Sequence, residues 1–562
     1  MEEELATDTR PGAVLPAAVP APARGSASVD TAVLDDAHLG HIEGALGTIH
    51  ADAFPPRRPW TRRLLALLAI MGPGLIVMVG DNDAGGIATY AQAGQNYGLT
   101  LLWTLVLLVP VLIVNQEMVA RLGAVTGVGH ARLINERFGK FWGAFSVGDL
   151  FVLNFLTIAT EFIGVGLALS YFGVSRYISV PIAAALLIAM TASGSFRRWE
   201  RSMFVLVLAS LVVVPLAVIS HPKVGPFLHG LAVPGVRGGY TSTSVLLIIA
   251  IVGTTVAPWQ LFFQQSNVID KRITPRWLNY ERADTVLGSI VTEVVAVLLI
   301  GITAAALIHT PAGGRFTNAA GVARALGKYA GHGAGALFAI LLLDASIVGA
   351  APVTLATSYA FGDVFGTRHS LHRSWREAKV FYGSFTAMVI VAAGLVILPG
   401  APLGLITVGV QALAGVLLPS ATVFLLLLCN DREVLGPWVN RPWLNVVSTL
   451  IVSVLLMLSL ALMATTLFPR IDVRSLALVM AAALVVAYGI GAILIARNRG
   501  SRPPVKKVPA SERATWRMPS LALLERPAWS RSRVIGMYAL RGYLVLAVVM
   551  LAVKAIQLSI GR

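Results

Sequence analysis

The sequence predicts an all-α integral membrane protein with two inverted five-helix repeats, discontinuous first and sixth helices, and about 12–13 spans in total. Of its 562 residues, 56% are hydrophobic and 13% are charged, which is too apolar for a soluble globular protein. Apolar segments of about 20 residues recur along the chain, each long enough to cross a bilayer. Two of these segments are interrupted by glycine, proline and polar residues. A net charge of +16 lies mostly in short loops between apolar runs, an arrangement typical of membrane proteins rather than nucleic-acid-binding ones.

The first part of the chain, residues 1–58, is rich in alanine, proline and acidic side chains, which predicts a disordered cytoplasmic segment. Within it, Leu39, Ile42, Leu46 and Ile49 repeat at spacings of three and four, which predicts one short amphipathic helix. The segment lacks the basic and then apolar start of a signal peptide, so no cleavable signal is expected.

The apolar segments divide the rest of the chain into four parts. Residues 59–436 are expected to form a transporter core of ten spans, 437–500 further spans, 501–533 a basic cytoplasmic linker, and 534–562 a last span interrupted by Arg541 and Lys554. The predicted spans lie near residues 64–95, 99–122, 145–172, 177–193, 200–219, 243–267, 285–309, 334–362, 379–399, 403–429, 445–467, 475–496 and 535–557.

Positive charge is concentrated in every second loop, as in the run Arg132–Lys140 after the second span and the run Arg497–Arg533 after the twelfth. Cytoplasmic loops carry an excess of lysine and arginine, so these loops and the N-terminus are predicted to be cytoplasmic in a plasma membrane. Five spans separate the starts of the two interrupted helices. Because five is odd, the second repeat enters the membrane from the opposite side.

The two interruptions are the most informative polar features. The first includes Asp81–Gly86, and the second includes Gly253–Gln260. A carboxylate near the bilayer centre costs about 2.5–3.5 kcal/mol, and it therefore usually marks a pathway or a paired site. Irregular backbone at that depth is tolerated where it lines a protein cavity. Paired broken helices in two repeats are typical of the substrate site of a secondary transporter.

Several segments resemble the Nramp divalent-metal transporters in order, over roughly residues 64–436. This resemblance implies an amino-acid-transporter-like (LeuT-type) fold and divalent metal transport. The similar segments are Gly72–Gly74, Asp83–Thr89, Gln92–Gly94, Leu101–Trp103, Gln116, Ala120–Gly127, Glu161–Gly164, Gly253–Ser266, Gln411 and Leu417–Pro419.

The chain departs from that family pattern at its metal and proton positions. Asp83 is kept, but Gly86 stands where the family has an Asn ligand and Ala257 where it has a Met ligand. Trp259 and Gln265 replace two histidines of the family. Ile158 stands where the family has an aspartate, and Ala84 stands where it has a proline. The family's proline at Pro258 is kept. In lacking this methionine, the chain resembles the Nramp-related magnesium transporters.

All remaining donors at the interruptions are oxygens, which suit Mg²⁺, Ca²⁺ and Mn²⁺ better than softer metals. Asp83 is expected to bind the metal, whereas Asp81 could bind metal or cap a half-helix N-terminus. Glu161 is the remaining candidate on a proton path. The predicted metal-site residues are Asp83, Asp81, Asn82, Gly86, Ala257, Gln260 and Gln411, with carbonyls near Val256 and Ala257, and the predicted break or gating residues are Gly85, Gly253, Pro258 and Trp259.

The main hypothesis is therefore an alternating-access transporter for Mg²⁺ and Mn²⁺ that is not coupled to protons and has no resident cofactor. One alternative is a proton-coupled Mn²⁺/Fe²⁺ importer of the Nramp type. Another is an amino-acid transporter, against which the anionic Asp81 and Asp83 argue. An enzyme is not expected, because the sequence offers no candidate nucleophile, metal cluster or large soluble domain.

Overall fold

The computed structural model describes residues 36–56, 59–399, 403–468, 471–497, 509–524, 536–546 and 549. This part of the chain is almost entirely helical, with one two-stranded antiparallel sheet near its start. The bounds of the strands are β1 (Ile42–Gly44) and β2 (Gly47–Ile49).

The first repeat is formed by α2 (Pro73–Val79) with α3 (Ala84–Tyr97), α4 (Leu102–Thr126), α6 (Lys140–Tyr171), α7 (Arg176–Thr191), and α8 (Phe196–Ala209) with α9 (Val213–Ser220). The second repeat is formed by α11 (Ser242–Thr255) with α12 (Pro258–Asp270), α13 (Leu278–Leu307), α15 (His332–Phe365), α16 (Lys379–Ile397) and α17 (Leu403–Cys429). The remaining helices are α1 (Trp60–Ile70), α5 (His130–Phe138), α10 (Val224–Ala232), α14 (Ala319–Tyr329), α18 (Arg432–Leu435), α19 (Pro442–Leu467), α20 (Val473–Arg497) and α21 (Ala510–Thr515).

The two repeats match one another helix by helix. A short helix follows the second span of each repeat, namely α5 in the first and α14 in the second. The packing follows the same symmetry: α3 packs on α13, α12 packs on α4, and α6 lies along α15. The predicted inverted-repeat membrane fold is therefore confirmed.

The number of spans is close to the prediction. Within the described residues, ten helices are long and apolar enough to cross a membrane, and α7 is a shorter apolar helix. The bent pair of α1 with α2 adds an eleventh if it is counted as one span. Of the predicted thirteenth span, only residues 536–546 and 549 are described, and they are helical.

Both interrupted helices differ in detail from the prediction. The first interruption covers only Gly80–Asp83, because α3 already begins at Ala84 and includes Gly85 and Gly86. The second covers only Val256 and Ala257, with Gly253 inside α11 and Pro258 at the start of α12. Proline without an N–H is favoured in the first turn of a helix, which explains why α12 resumes there.

An additional bend of 55° separates α1 from α2 at Met71 and Gly72. Gly72 has φ of +153°, and a Cβ at this position would lie 3.0 Å from the Lys271 ammonium nitrogen. Asp284 of α13 accepts hydrogen bonds from the amides of Gly72 (3.0 Å), Gly74 (2.7 Å) and Leu75 (3.2 Å). This carboxylate satisfies the free N–H groups at the start of α2.

The amphipathic helix expected around Leu39–Ile49 is wrong, since these residues form the β1–β2 hairpin, which pairs Ile42 with Ile49. Gly44 and Gly47 flank the turn, and glycine disfavours a helix by about 1 kcal/mol. Ile42 and Ile49 face the protein, whereas Leu39 and Leu46 are about half exposed. Residues 36–56 are thus ordered against expectation, and residues 1–35 of the predicted disordered segment lie outside the described part.

A buried ion pair holds the region beneath the first span together. The Lys271 ammonium lies 2.6 Å from the Glu200 carboxylate, and both side chains are fully buried. Lys271 also donates to the Met71 carbonyl (2.7 Å), and Glu200 accepts from the Ala45 amide of the hairpin. The α1–α2 bend, α8, α12 and the hairpin are therefore joined at one point.

Candidate functional site at the paired helix breaks

The first break places two carboxylates in the interior of the helix bundle. Asp83 caps the N-terminus of α3, and its Oδ1 accepts a hydrogen bond of 2.6 Å from the Gly86 amide. Asp81 lies within the break beside the Gln260 side chain of the second break, and neither of its carboxylate oxygens makes a hydrogen bond of normal geometry with the described residues. Both side chains are almost completely buried. Burying a carboxylate is energetically unfavourable unless a cation or hydrogen bonds compensate for its lost hydration.

Two further carboxyl groups lie near Asp81. Asp83 and Glu293 of α13 are both close enough to act on it electrostatically. The adjacent Asn82 is fixed, because its Nδ2 donates to the Thr292 carbonyl of α13 at 3.0 Å. This region therefore favours a positively charged occupant.

Glu161 of α6 lies at the first break. Its Oε2 accepts a hydrogen bond of 3.0 Å from the Ala84 amide at the start of α3. Gly349 of α15 fits between the two acidic groups, since a Cβ there would lie 2.7 Å from Asp83 Cβ and 3.1 Å from Glu161 Oε2. Asp83 and Glu161 therefore share one helix N-terminus.

The second break faces the first through its glutamine. Gln260, in the first turn of α12, donates to the Thr255 carbonyl (3.3 Å) and accepts from Gln116 of α4 (2.7 Å). The Ala257 carbonyl accepts from the Gln260 amide at 3.2 Å. Ala257 itself is a buried methyl group at the N-cap of α12, with no side-chain ligand.

Gln411 of α17 closes the site from another side. Its Nε2 lies 3.4 Å from each carboxylate oxygen of Asp83, so the amide faces Asp83 as a donor rather than through its oxygen. A Cβ at Gly85 would collide with the Gln411 side chain, which explains a glycine in the first turn of α3. Gly253 allows a similarly close approach of α11 to Gly415 of α17.

The other predicted break residues have structural surroundings. Trp259 is buried and packs against Phe263, with ring centroids 6.2 Å apart. Pro258 occupies the first position of α12. Gln265 donates to the Val128 carbonyl (2.7 Å), and its Oε1 is 2.8 Å from Nδ1 of His130.

Sequence reasoning missed the contacts that join the two breaks. Tyr90 of α3 and Thr255 of α11 share a hydrogen bond of 2.8 Å between their hydroxyls. The Thr292 carbonyl of α13 accepts a hydrogen bond from Asn82 at the first break. The Gln116 side chain of α4 donates one to Gln260 at the second break. A polar Asn115–Gln116 pair inside the apolar α4 was the one available signal.

Among the described residues, no three histidine, cysteine, aspartate or glutamate side chains converge closely enough to hold a metal ion by themselves. A cation at the breaks would therefore use one or two carboxylates together with amide, carbonyl or water oxygens. That ligand set is the one Mg²⁺ usually has in proteins, and oxygen ligands also suit Mn²⁺.

Comparison with known proteins agrees with this arrangement. Residues 74–465 match the Nramp family model, described as natural resistance-associated macrophage protein-like. The chain is 30% identical over 269 residues to a divalent metal cation transporter MntH of Chromohalobacter salexigens, covering 45% of this chain and 59% of that protein. The same-named protein of Latilactobacillus sakei is 28% identical over 396 residues, covering 67% of this chain and 84% of its own length.

A solved structure shows the same fold. The manganese transporter of Eremococcus coleocola superposes with a TM-score of 0.60 at 21% identity, over 79% of this chain and 97% of that one. The family model covers more than half of the chain. This protein belongs to the Nramp family.

Proposed function

We propose that this protein moves divalent metal cations across the membrane by alternating access at the two helix breaks. The observation that carries the proposal is the pair of buried carboxylates at the first break, Asp81 and Asp83, whose charges a cation would neutralise. The family relatives, named divalent metal cation transporters, support the same class of substrate.

The C-terminal ends of α2 and α11 also meet the site, since each helix stops at its break. Helix C-termini carry partial negative charge and stabilise cations. In contrast, the N-terminus of α3 is occupied by Asp83 and Glu161. An amino-acid carboxylate would have to displace one of these two groups, which makes the amino-acid transporter the weaker alternative.

Mn²⁺ is the substrate that we propose first, because it accepts oxygen ligands and belongs to the transition metals of the Nramp alternative. Mg²⁺ is a second candidate, favoured by Ala257, which brings no sulfur to the second break. A hard ion that keeps part of its water shell fits a site with few carboxylates. We expect both ions to be carried and to compete.

Proton coupling depends on Glu161. Trp259, Gln265 and Ile158 cannot exchange protons near neutral pH, which supports uncoupled transport. The contact of Glu161 with the α3 N-terminus, beside Asp83, supports the coupled alternative instead. A potential of 100 mV gives a divalent ion about 4.6 kcal/mol, from about 2.3 kcal/mol per charge, so uncoupled uptake is energetically sufficient.

The test is metal uptake into proteoliposomes with a lumenal pH dye, comparing Mn²⁺, Mg²⁺ and Ca²⁺. We expect Mn²⁺ and Mg²⁺ to enter and to inhibit one another. Metal-dependent acidification that disappears in Glu161→Gln would establish the coupled alternative. Protein that inserts correctly but moves none of the three ions would refute the proposed function.

A further inference from the structure

A groove of about 1530 Å³ lies outside the metal site, next to the residues that precede the first span. Its walls are residues 54–56, α1, the start of α13 and α21. On the charge pattern of the loops, this is the side predicted to be cytoplasmic. The groove is therefore placed where the headgroups of the inner leaflet would reach the protein.

The apolar part of the groove is unusually exposed. Phe54, Trp60 and Leu64 are 74%, 71% and 42% exposed, and Tyr280 lines the opposite wall. Tryptophan and tyrosine are enriched at membrane interfaces, where their rings meet the headgroups. Exposed apolar patches of this kind usually mark interaction sites, and this one is suited to contact with lipid acyl chains.

The charged part of the groove has one sign. Arg63 and Arg276 line it, and none of its described lining residues is acidic. Arg276 is held in place, because it donates to the Ala53 carbonyl (2.9 Å) and its guanidinium lies 4.1 Å from the centre of the Phe54 ring. Arg63 is exposed on α1. Arginine binds phosphate oxygens through charge-assisted hydrogen bonds.

We propose that an anionic phospholipid binds in this groove, with its phosphate between Arg63 and Arg276 and its acyl chain against Trp60 and Leu64. The combination of arginines, aromatic rings and exposed leucine matches one molecule with an anionic head and an apolar tail. Zwitterionic lipid offers the same tail but no net charge, and free phosphate offers the charge without the tail.

The groove borders the helix that leads to the first break. α1 leads through the 55° bend into α2, and α2 ends at the break that holds Asp81. A lipid that binds α1 therefore stabilises the present arrangement of the first span. This inference concerns lipid binding and stands whether or not the proposed metal transport is correct.

The experiment measures lipid binding to the purified full chain in neutral detergent, by native mass spectrometry during titration with phosphatidylglycerol or phosphatidylcholine. We expect preferential binding of phosphatidylglycerol, which Arg63→Glu weakens by about tenfold, since it removes one attraction and adds one repulsion. Arg62→Glu is the matched control, because Arg62 is the exposed neighbour on α1 and does not line the groove.

Three results would overturn the proposal. Equal loss of binding in Arg62→Glu and Arg63→Glu would show general surface attraction rather than a site. Equal binding of both lipids would remove the requirement for an anionic head. Displacement of phosphatidylglycerol by millimolar inorganic phosphate would identify a phosphate site without a lipid tail.

Discussion

At the scale of single residues, the proposed metal site keeps Asp83 of the family pattern and differs from that pattern at Gly86 and Ala257. Asp83 keeps its place at the start of α3, where its carboxylate meets the Gly86 amide and the Gln411 side chain. Ala257 offers no side-chain ligand at the second break, so the side-chain ligands that we propose at the first break are the carboxylate oxygens of Asp81 and Asp83. We therefore expect a preference for hard cations.

His130 is the hydrogen-bonding neighbour of Gln265, one of the residues that depart from the family pattern. Gln265, at a position where the family has histidine, lies against His130, a fully buried histidine of α5. Burial lowers the pKa of His130 to about 4. The imidazole is thus neutral in the folded protein at physiological pH, with its Nδ1 2.8 Å from the Oε1 of Gln265.

This lowered pKa predicts a loss of stability in acid. The unfolded histidine, with a pKa of about 6.5, binds a proton that the folded one refuses, so stability falls as the pH drops from about 6.5 to about 4. The loss is about 3 kcal/mol at the acid end. His130→Gln should flatten the thermal stability of purified protein between pH 7 and 4.5. The exposed His332→Gln is the control, and an unchanged pH dependence in His130→Gln would contradict the assignment.

At the scale of elements, the hairpin and the α1–α2 bend are tied to the core by one buried ion pair. Lys271 at the end of α12 holds both Glu200 of α8 and the Met71 carbonyl at the bend. Breaking a buried pair by removing one partner leaves the other charge without compensation. The first span is thus fixed at the point where it must move if access alternates.

We expect Lys271→Met to lower the thermal stability strongly, at a cost of about 3–5 kcal/mol, because Glu200 remains buried alone. The double variant Lys271→Met with Glu200→Gln should recover much of the loss. Arg132→Gln, which breaks a partly exposed pair with Glu136, should change stability by about 0–1 kcal/mol. Equal melting temperatures for Lys271→Met and the parent protein would show that the pair does not stabilise the fold.

The elements also show what the sequence could and could not predict. Spans and breaks were predictable because apolar length, glycine, proline and carboxylates signal them locally. The hairpin at Ile42–Ile49 was not, since a spacing of three and four also fits alternating residues separated by a turn. The bend at Gly72 depends on a contact with Asp284, and the position of Glu161 depends on a contact with Ala84. Both contacts join segments that are distant in sequence, so local patterns do not predict them.

At the scale of the whole molecule, the inverted repeats place the two half-helix pairs at the centre of the bundle. α3 packs on α13 and α12 packs on α4, so each repeat packs against the broken helix of the other repeat. The loop charges predict that the α15–α16 loop lies on the cytoplasmic side and the loop after α13 on the outside.

Cysteine labelling tests this topology directly, because Cys429 is the single cysteine of the chain. In a Cys429→Ser background, His309→Cys should react with a membrane-impermeant maleimide added to intact cells. Arg376→Cys should react only after the cells are opened. Both positions are exposed, so the opposite labelling pattern would reverse the predicted orientation.

The central claim, that a divalent cation binds at the first break, is tested by Mn²⁺ titration calorimetry on purified protein and its Asp83→Asn variant. We predict one site in the parent protein and a loss of affinity of at least about tenfold in the variant, because a carboxylate ligand is removed from a buried site. Asp149→Asn is the matched control: its carboxylate lies near Tyr543 and not at the breaks, and its binding should equal that of the parent. Unchanged stoichiometry and affinity in Asp83→Asn would contradict the account.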